Sequence, residues 1–152
     1  MPDDVTIRRA TEHDAETIAR FNRQMAEETE DKPLDPTTVR NGVQAVLDDP
    51  DRGFYLVAER ADTVVGALLI TYEWSDWRNG RFWWVQSVYV PSDARRTGVY
   101  TALHRDVRRR AREAEEVCGL RLYVERDNAA ARATYEALGM TEASYRMYEE
   151  ML

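Results

Sequence analysis

The sequence predicts an α+β fold in which a mixed, mostly antiparallel central sheet is flanked by helices. Three runs rich in β-branched and aromatic residues, over 54–59, 64–74 and 82–90, follow one another with only turn residues between them, the order of antiparallel hairpins. After Pro91 the order becomes helix (98–118) and then strand, and strands joined through a helix pair in parallel. No repeat, low-complexity run or Gly/Ser linker divides the 152 residues, and a hydrophobic content of 43% is enough to fill one core. Residues 1–152 are therefore expected to form a single domain.

Each element has a local reason. Val5-Thr6-Ile7-Arg8 alternates with period two and reads as a first strand. Thr11, three residues before Asp14, starts a helix over 12–28 as a capping box, and Ile18, Phe21 and Met25 form its apolar side. Asp35-Pro36 begins a second helix with a carboxylate cap and proline at the first helical position. Val39, Val43, Val46 and Leu47 then recur at helical spacing until Pro50. Arg60-Ala61-Asp62-Thr63 and residues 75–80 are the two hairpin turns. Val99, Leu103, Val107, Ala114 and Val117 share one face of the helix over 98–118, with Gly119 as its stop. A strand over 120–124, a helix over 128–138 stopped by Gly139 and a last strand over 144–148 complete the order β-α-α-β-β-β-α-β-α-β.

Composition removes several classes of function. One cysteine, Cys118, and two histidines, His13 and His104, are too few for a structural zinc, haem or iron–sulfur site, so no metal is expected. No stretch approaches the ~18 apolar residues of a membrane span, and residues 1–25 lack the basic-then-apolar order of a signal peptide, so a cytoplasmic location is expected. A net charge of −7 repels phosphate backbones, which argues against nucleic acid as a partner. Arg105, Arg108, Arg109 and Arg112 do line one side of a helix, but Glu113 and Glu116 complete i, i+4 pairs with Arg109 and Arg112. That side reads as solvated, with His104 expected at the surface beside it.

The segment from Val88 to Leu103 leaves a buried strand, turns through polar residues and enters a helix at Gly98. A helix N-terminus offers unpaired amides and partial positive charge, glycine permits close approach, and Arg95 and Arg96 add full charges. Such a junction fits a pyrophosphate, and it equally fits an ordinary loop with solvated arginines. Two blocks then bear on the choice. Val90-Pro91-Ser92-Asp93-Ala94-Arg95-Arg96-Thr97-Gly98-Val99-Tyr100 resembles the pyrophosphate loop R/Q-x-x-G-x-G/A of the GNAT superfamily of acyl-CoA-dependent N-acyltransferases. Asn128-Ala129-Ala130-Ala131-Arg132-Ala133-Thr134-Tyr135-Glu136-Ala137-Leu138-Gly139-Met140 is similar to that family's later block N-x-x-A-x-x-x-Y-x-x-L-G-F. Tyr100 replaces the final small residue of the first block and Met140 the closing phenylalanine of the second.

The resemblance implies a GNAT-like domain in which an amine attacks the thioester of acetyl-CoA in a ternary complex. A strand over 87–90 would splay from its parallel neighbour over 120–124 to leave a slot for the pantetheine. The backbone of Val88, Tyr89 and Val90 would bond the pantetheine or polarise the thioester carbonyl, where negative charge grows in the transition state. Arg95, Arg96, Thr97, Gly98, Val99, Tyr100 and Thr101 would hold the pyrophosphate. Asn128 would bond the pantetheine arm or cap the last helix. Tyr135 matches the position of the family's general acid, protonating the departing thiolate. The attacking amine must first lose a proton, and Gln86 stands where a glutamate base is often found, so Glu73 and Glu28 are the remaining carboxylate candidates.

Other readings stay open beside this one. A non-catalytic acyl-CoA-binding regulatory domain would keep the groove without the chemistry, as Gln86 and Tyr100 suggest. Trp74, Trp77, Trp83 and Trp84 would suit an interaction hairpin or a homodimer contact, a family habit. They would equally suit an aromatic wall for a cationic amine beside Glu27, Glu28, Glu30 and Asp31.

Overall fold

The computed structural model describes residues 4–152, which form two compact units dividing between Leu122 and Tyr123. In the first unit, strands β1 (Thr6–Arg9), β2 (Phe54–Arg60), β3 (Thr63–Ser75), β4 (Gly80–Tyr89) and β5 (Val117–Arg121) lie across one sheet in chain order. Strands β1 to β4 pair antiparallel. Strand β5 joins β4 in parallel after a crossover through helix α3 (Val99–Glu113). The mixed α+β sheet read from the sequence is the observed one.

The two faces of the sheet bury two different cores. Phe54, Leu56 and Ala58 of β2 point with Leu68 and Ile70 of β3 and Trp83 and Val85 of β4 onto Val99, Leu103 and Val107 of α3. The alternate residues Tyr55, Val57 and Ala67 meet Ile18 and Phe21 of α1 (Ala15–Glu30) and Val43 of α2 (Pro36–Asp48). Burial on both faces explains why β2 reads as a continuous apolar run and not as an alternating one. Gly66 lets α3 approach β3: a Cβ there would stand 2.8 Å from Val99 Cγ1.

The predicted starts are present. The Thr11 hydroxyl accepts from the His13 amide at 3.3 Å and Asp14 accepts from the Thr11 amide at 2.8 Å, with α1 following a short 3₁₀ turn over Glu12–Asp14. Asp35 accepts from the Thr38 amide at 2.9 Å, capping α2. Arg8 then ties β1 to this corner, with Nη1 donating to Asp14 at 2.8 Å and Nε to Glu59 at 2.5 Å.

Three boundaries differ from the sequence reading. Helix α3 ends at Glu113 and not near residue 118, because Ala114 turns to an extended backbone and the Arg81 amide captures the Glu116 carbonyl at 2.8 Å. Val117 packs against the same core from a strand that it would have reached from a helix, so its apolar character served either assignment. Gly119 is consequently no helix stop. It lies within β5, where a Cβ would stand 2.8 Å from the Phe82 ring. Strand β5 accordingly spans Val117–Arg121 in place of 120–124. Residues 144–148 enter no ladder among the described residues, since a short alternating segment is a strand only when a neighbour pairs with it.

In the second unit, Tyr123–Leu152, helix α4 spans Ala129–Ala137. Gly139 follows it at φ +99°, a conformation that glycine adopts without the Cβ penalty. Among the described residues, no helix is long and apolar enough to cross a membrane, and no group of three or more His, Cys, Asp or Glu is placed to hold a metal ion.

Candidate active site

Strands β4 and β5 pair from Arg81↔Val117 to Trp84↔Arg121 and then part. Among the described residues, β4 from Val85 to Tyr89 pairs with β3 alone, β5 having ended at Arg121. Glu73 of β3 stands at the last β4–β5 pair: its carboxylate accepts from Trp84 Nε1 at 2.9 Å and from Arg121 Nη1 at 2.8 Å. The Trp84 bond foremost, and then Arg121, hold the Glu73 carboxyl below its ordinary value.

Within this stretch, β4 carries a bulge. Leu69 faces Gln86 and Ala67 faces Tyr89, so Ser87 and Val88 together oppose Leu68, and Ser87 takes φ +51°. The bulge reverses the alternation of the strand. Trp83 and Val85 face α3, and so do Val88 and Val90 beyond the bulge, while Tyr89 turns to the α1 face and packs its ring 5.2 Å from that of Phe21.

Tyr89, 6% exposed, donates its hydroxyl to Glu28 near the end of α1. The same carboxylate accepts from Arg95 Nη2 at 2.5 Å, and Arg95 Nε donates to the Val90 carbonyl at 2.7 Å. Arg95 first, and then the Tyr89 hydroxyl, lower the Glu28 pKa, while burial and the adjoining carboxylate raise that of the Tyr89 phenol.

The loop after β4 is built around the backbone. Ala94 N–H returns to the Pro91 carbonyl at 2.9 Å, and the Thr97 hydroxyl donates to the Ala94 carbonyl at 2.6 Å. Arg96 (φ +63°) and Gly98 (φ +87°) both take the left-handed region, and Gly98 is the N-cap of α3. No side-chain hydrogen bond caps this helix at Gly98. The Tyr100 hydroxyl is 3.1 Å from His104 Nδ1, one turn along α3.

The model of the acetyltransferase (GNAT) family matches residues 13–140. The chain belongs to the GNAT family of acetyltransferases. A solved possible acetyltransferase from Clostridium difficile 630 is 46% identical, with 97% of each chain covered and a TM-score of 0.91. Two more distant structures share the fold. One is a ribosomal-protein-alanine N-acetyltransferase from Brucella melitensis biovar Abortus 2308, at 21% identity, 97% and 99% coverage and TM-score 0.78. The other is a predicted acetyltransferase with acetyl-CoA from Clostridium acetobutylicum, at 15% identity, 96% coverage of each chain and TM-score 0.78. No curated protein matches the sequence.

In this GNAT chain the structure gathers Glu28 of α1, Tyr89 and Val90 at the end of β4 and Arg95 of the following loop at one place, and Glu73 with Trp84 and Arg121 at another. Asn128 and Tyr135 belong to the second unit. Asn128 Oδ1 accepts from the Ala131 amide at 3.0 Å as the cap of α4, and burial raises the pKa of the Tyr135 phenol. Gln86 donates to the Thr71 hydroxyl at 2.6 Å.

His104 is a correction to the sequence reading. It is 1% exposed, because it occupies the flank of α3 that carries Leu103 and Val107 into the core. The arginine face itself is open: Arg105, Arg108, Arg109, Arg112 and Glu113 border a depression of about 400 Å³. Arg109 bridges Asp106 at 2.8 Å and Glu113 at 3.3 Å, whereas Glu116 pairs with Arg81 at 3.6 Å and not with Arg112. Nor do the tryptophans form one wall. Trp83 is buried edge-on against Phe54 at 5.2 Å, while Trp74 and Trp77 are exposed.

The Ser87 bulge and the Arg95–Glu28 pair escaped the sequence reading. The first left a trace, since the apolar positions of β4 change parity from Trp83 and Val85 to Val88 and Val90. The second, joining residues 67 apart, left none.

Proposed function

We propose that this GNAT chain is an N-acetyltransferase that passes the acetyl group of acetyl-CoA to a primary amine by direct attack in a ternary complex. The observation that supports it most is the parting of β4 from β5 at Trp84 and Arg121, beside a helix whose N-cap is Gly98. The pantetheine would enter a slot beside β4, along the backbone of Val88, Tyr89 and Val90. The pyrophosphate would meet the loop of Arg95, Arg96 and Thr97 and the amides of Gly98, Val99, Tyr100 and Thr101, where helix amides and positive charge favour an anion. The backbone amides of Val88 and Val90 would polarise the thioester carbonyl as it gains charge.

The amine nitrogen attacks the thioester carbon, the carbon–sulfur bond breaks, and the pair of electrons leaves on CoA sulfur. The ammonium form loses its proton to a carboxylate, Glu73 or Glu28, or to water that they hold. Tyr135 returns a proton to the thiolate, a task for which a raised phenol pKa keeps it protonated at neutral pH. Asn128 holds the start of the helix that carries Tyr135. No metal takes part in this reading. The enzyme is expected in the cytoplasm, with a homodimer as its assembly and, at net charge −7, no nucleic-acid partner.

Release of CoA thiol with a panel of amines tests the proposal. Tyr135→Phe should lower turnover by at least about tenfold while leaving the acetyl-CoA affinity within twofold, since general-acid catalysis contributes ~10²–10⁴ where it operates fully. The tether of Gln86 to Thr71 favours a second reading, a non-catalytic acyl-CoA-binding regulatory domain. Tight acetyl-CoA binding with no transfer to any amine would select it.

A further inference from the structure

Arg95 is a cation of the chain seated in a place built for one. Its Nη2 donates to Glu28 at 2.5 Å, its Nε donates to the Val90 carbonyl oxygen at 2.7 Å, and its guanidinium carbon lies 5.5 Å from the centre of the Tyr89 ring. A carboxylate, a carbonyl oxygen and an aromatic face are the groups that bind ammonium and guanidinium ions. The carboxylate also accepts from a second donor, the Tyr89 hydroxyl, which would hold it in the absence of Arg95. Tyr89 is buried and braced by Phe21, whereas the side chains of Arg95 and Glu28 are 45% and 42% exposed. The aromatic wall of the seat is therefore held by the core, while the ion pair itself stands at the surface, where its partners can exchange.

Arg95 also has somewhere to go. It stands three residues before Gly98, in the loop where the proposed function puts the pyrophosphate of acyl-CoA. A guanidinium binds phosphate oxygens through two parallel hydrogen bonds, and an exposed carboxylate competes for it only weakly.

We propose that Arg95 is exchanged between two anions: it fills the Glu28–Tyr89–Val90 seat in the free protein, turns to the pyrophosphate when acyl-CoA binds, and so opens the seat to a second cationic group on the acceptor. This deepens the acetyltransferase reading and rests on it. The nitrogen that attacks must be neutral, so the cation on Glu28 is a different group of the same molecule. The acceptor class is then a primary amine that carries a further ammonium or guanidinium, and acyl-CoA binds before it. With Glu28 holding that cation, proton removal falls to Glu73 or water.

Calorimetric titration with acetyl-CoA tests the exchange through the sign of one effect. Glu28→Gln keeps the size of the side chain and a hydrogen bond for Tyr89 but removes the charge that competes for Arg95. The exchange predicts that this variant binds acetyl-CoA about two- to fivefold more tightly than the wild type, the range set by an exposed ion pair. Arg95→Gln should weaken binding in either background and abolish the gain. If the ion pair merely braces the loop, Glu28→Gln binds acetyl-CoA more weakly or equally, and the exchange is overturned. A wild-type protein that binds no acetyl-CoA would defeat the acetyltransferase reading itself, and the exchange with it.

The acceptor side is read with 4-aminobutylguanidine and n-butylamine, titrated with and without CoA so that no transfer occurs. CoA should strengthen binding of the guanidinium-bearing amine at least severalfold in the wild type and not in Glu28→Gln. Equal affinity with and without CoA, or no preference over n-butylamine, would overturn the seat.

Discussion

His104 has its ring between Tyr100 and Arg108, and the donors decide its proton. Arg108 Nη2 lies 3.2 Å from Nε2 and can only donate, so Nε2 accepts and the proton of the neutral ring sits on Nδ1, facing the Tyr100 hydroxyl at 3.1 Å. Burial first, and then the Arg108 charge, lower the His104 pKa below its ordinary 6.5. The unfolded chain therefore takes up this proton more readily than the folded one, so its contribution is complete above pH ~6.5 and is lost as the pH falls toward the lowered value. Between those limits stability falls by at most about 1.4 kcal/mol per pH unit. Melting temperatures at pH 7.5 and 5.5 should differ more in the wild type than in His104→Gln, and equal differences would mean that folding does not lower the His104 pKa. None of this was legible in the sequence, where His104 stands between Leu103 and Arg105 at the border of an apolar and a basic face. A side chain on such a border goes in or out according to what packs across from it, and that is tertiary information.

The junction of β4 and α3 depends on how closely α3 approaches the sheet. Gly66→Ala would set a Cβ 2.8 Å from Val99 Cγ1 and 3.4 Å from Leu103 Cδ1, both buried side chains with little room to move. Overpacking of this kind costs ~1–3 kcal/mol. Because Val99 is the first residue of α3, the displacement should also weaken acetyl-CoA binding, which thermal unfolding and calorimetry would measure on the same sample. A loss of stability with unchanged affinity would show that the helix start is not part of the binding site. At this scale the sequence was informative wherever a local signal sufficed. Asp35 before Pro36, Asn128 before α4 and the two hairpin turns needed only their neighbours. The end of α3 was misplaced because Val117 satisfies a helical stripe and a strand alike, and pairing with Arg81 decides between them. The Ser87 bulge is a backbone choice with no glycine to announce it.

Over the whole chain, two motifs lying 30 residues apart, at Gly98 and Asn128, and a change from antiparallel to parallel order were enough to read a GNAT acetyltransferase. The acceptor was not legible, because the groups around Glu28 come from α1, β4 and the following loop and meet only in three dimensions. In the proposed function, acyl-CoA lies along β4 with its pyrophosphate against the start of α3. Titration of acetyl-CoA into the wild type and into Gly98→Trp, with circular dichroism to show that the variant is folded, tests that directly. A tryptophan at φ +87° fills the approach to the first-turn amides, so the account predicts micromolar binding by the wild type and none by the variant. Wild-type protein that binds no acetyl-CoA, or a folded variant that binds it equally well, would contradict the account.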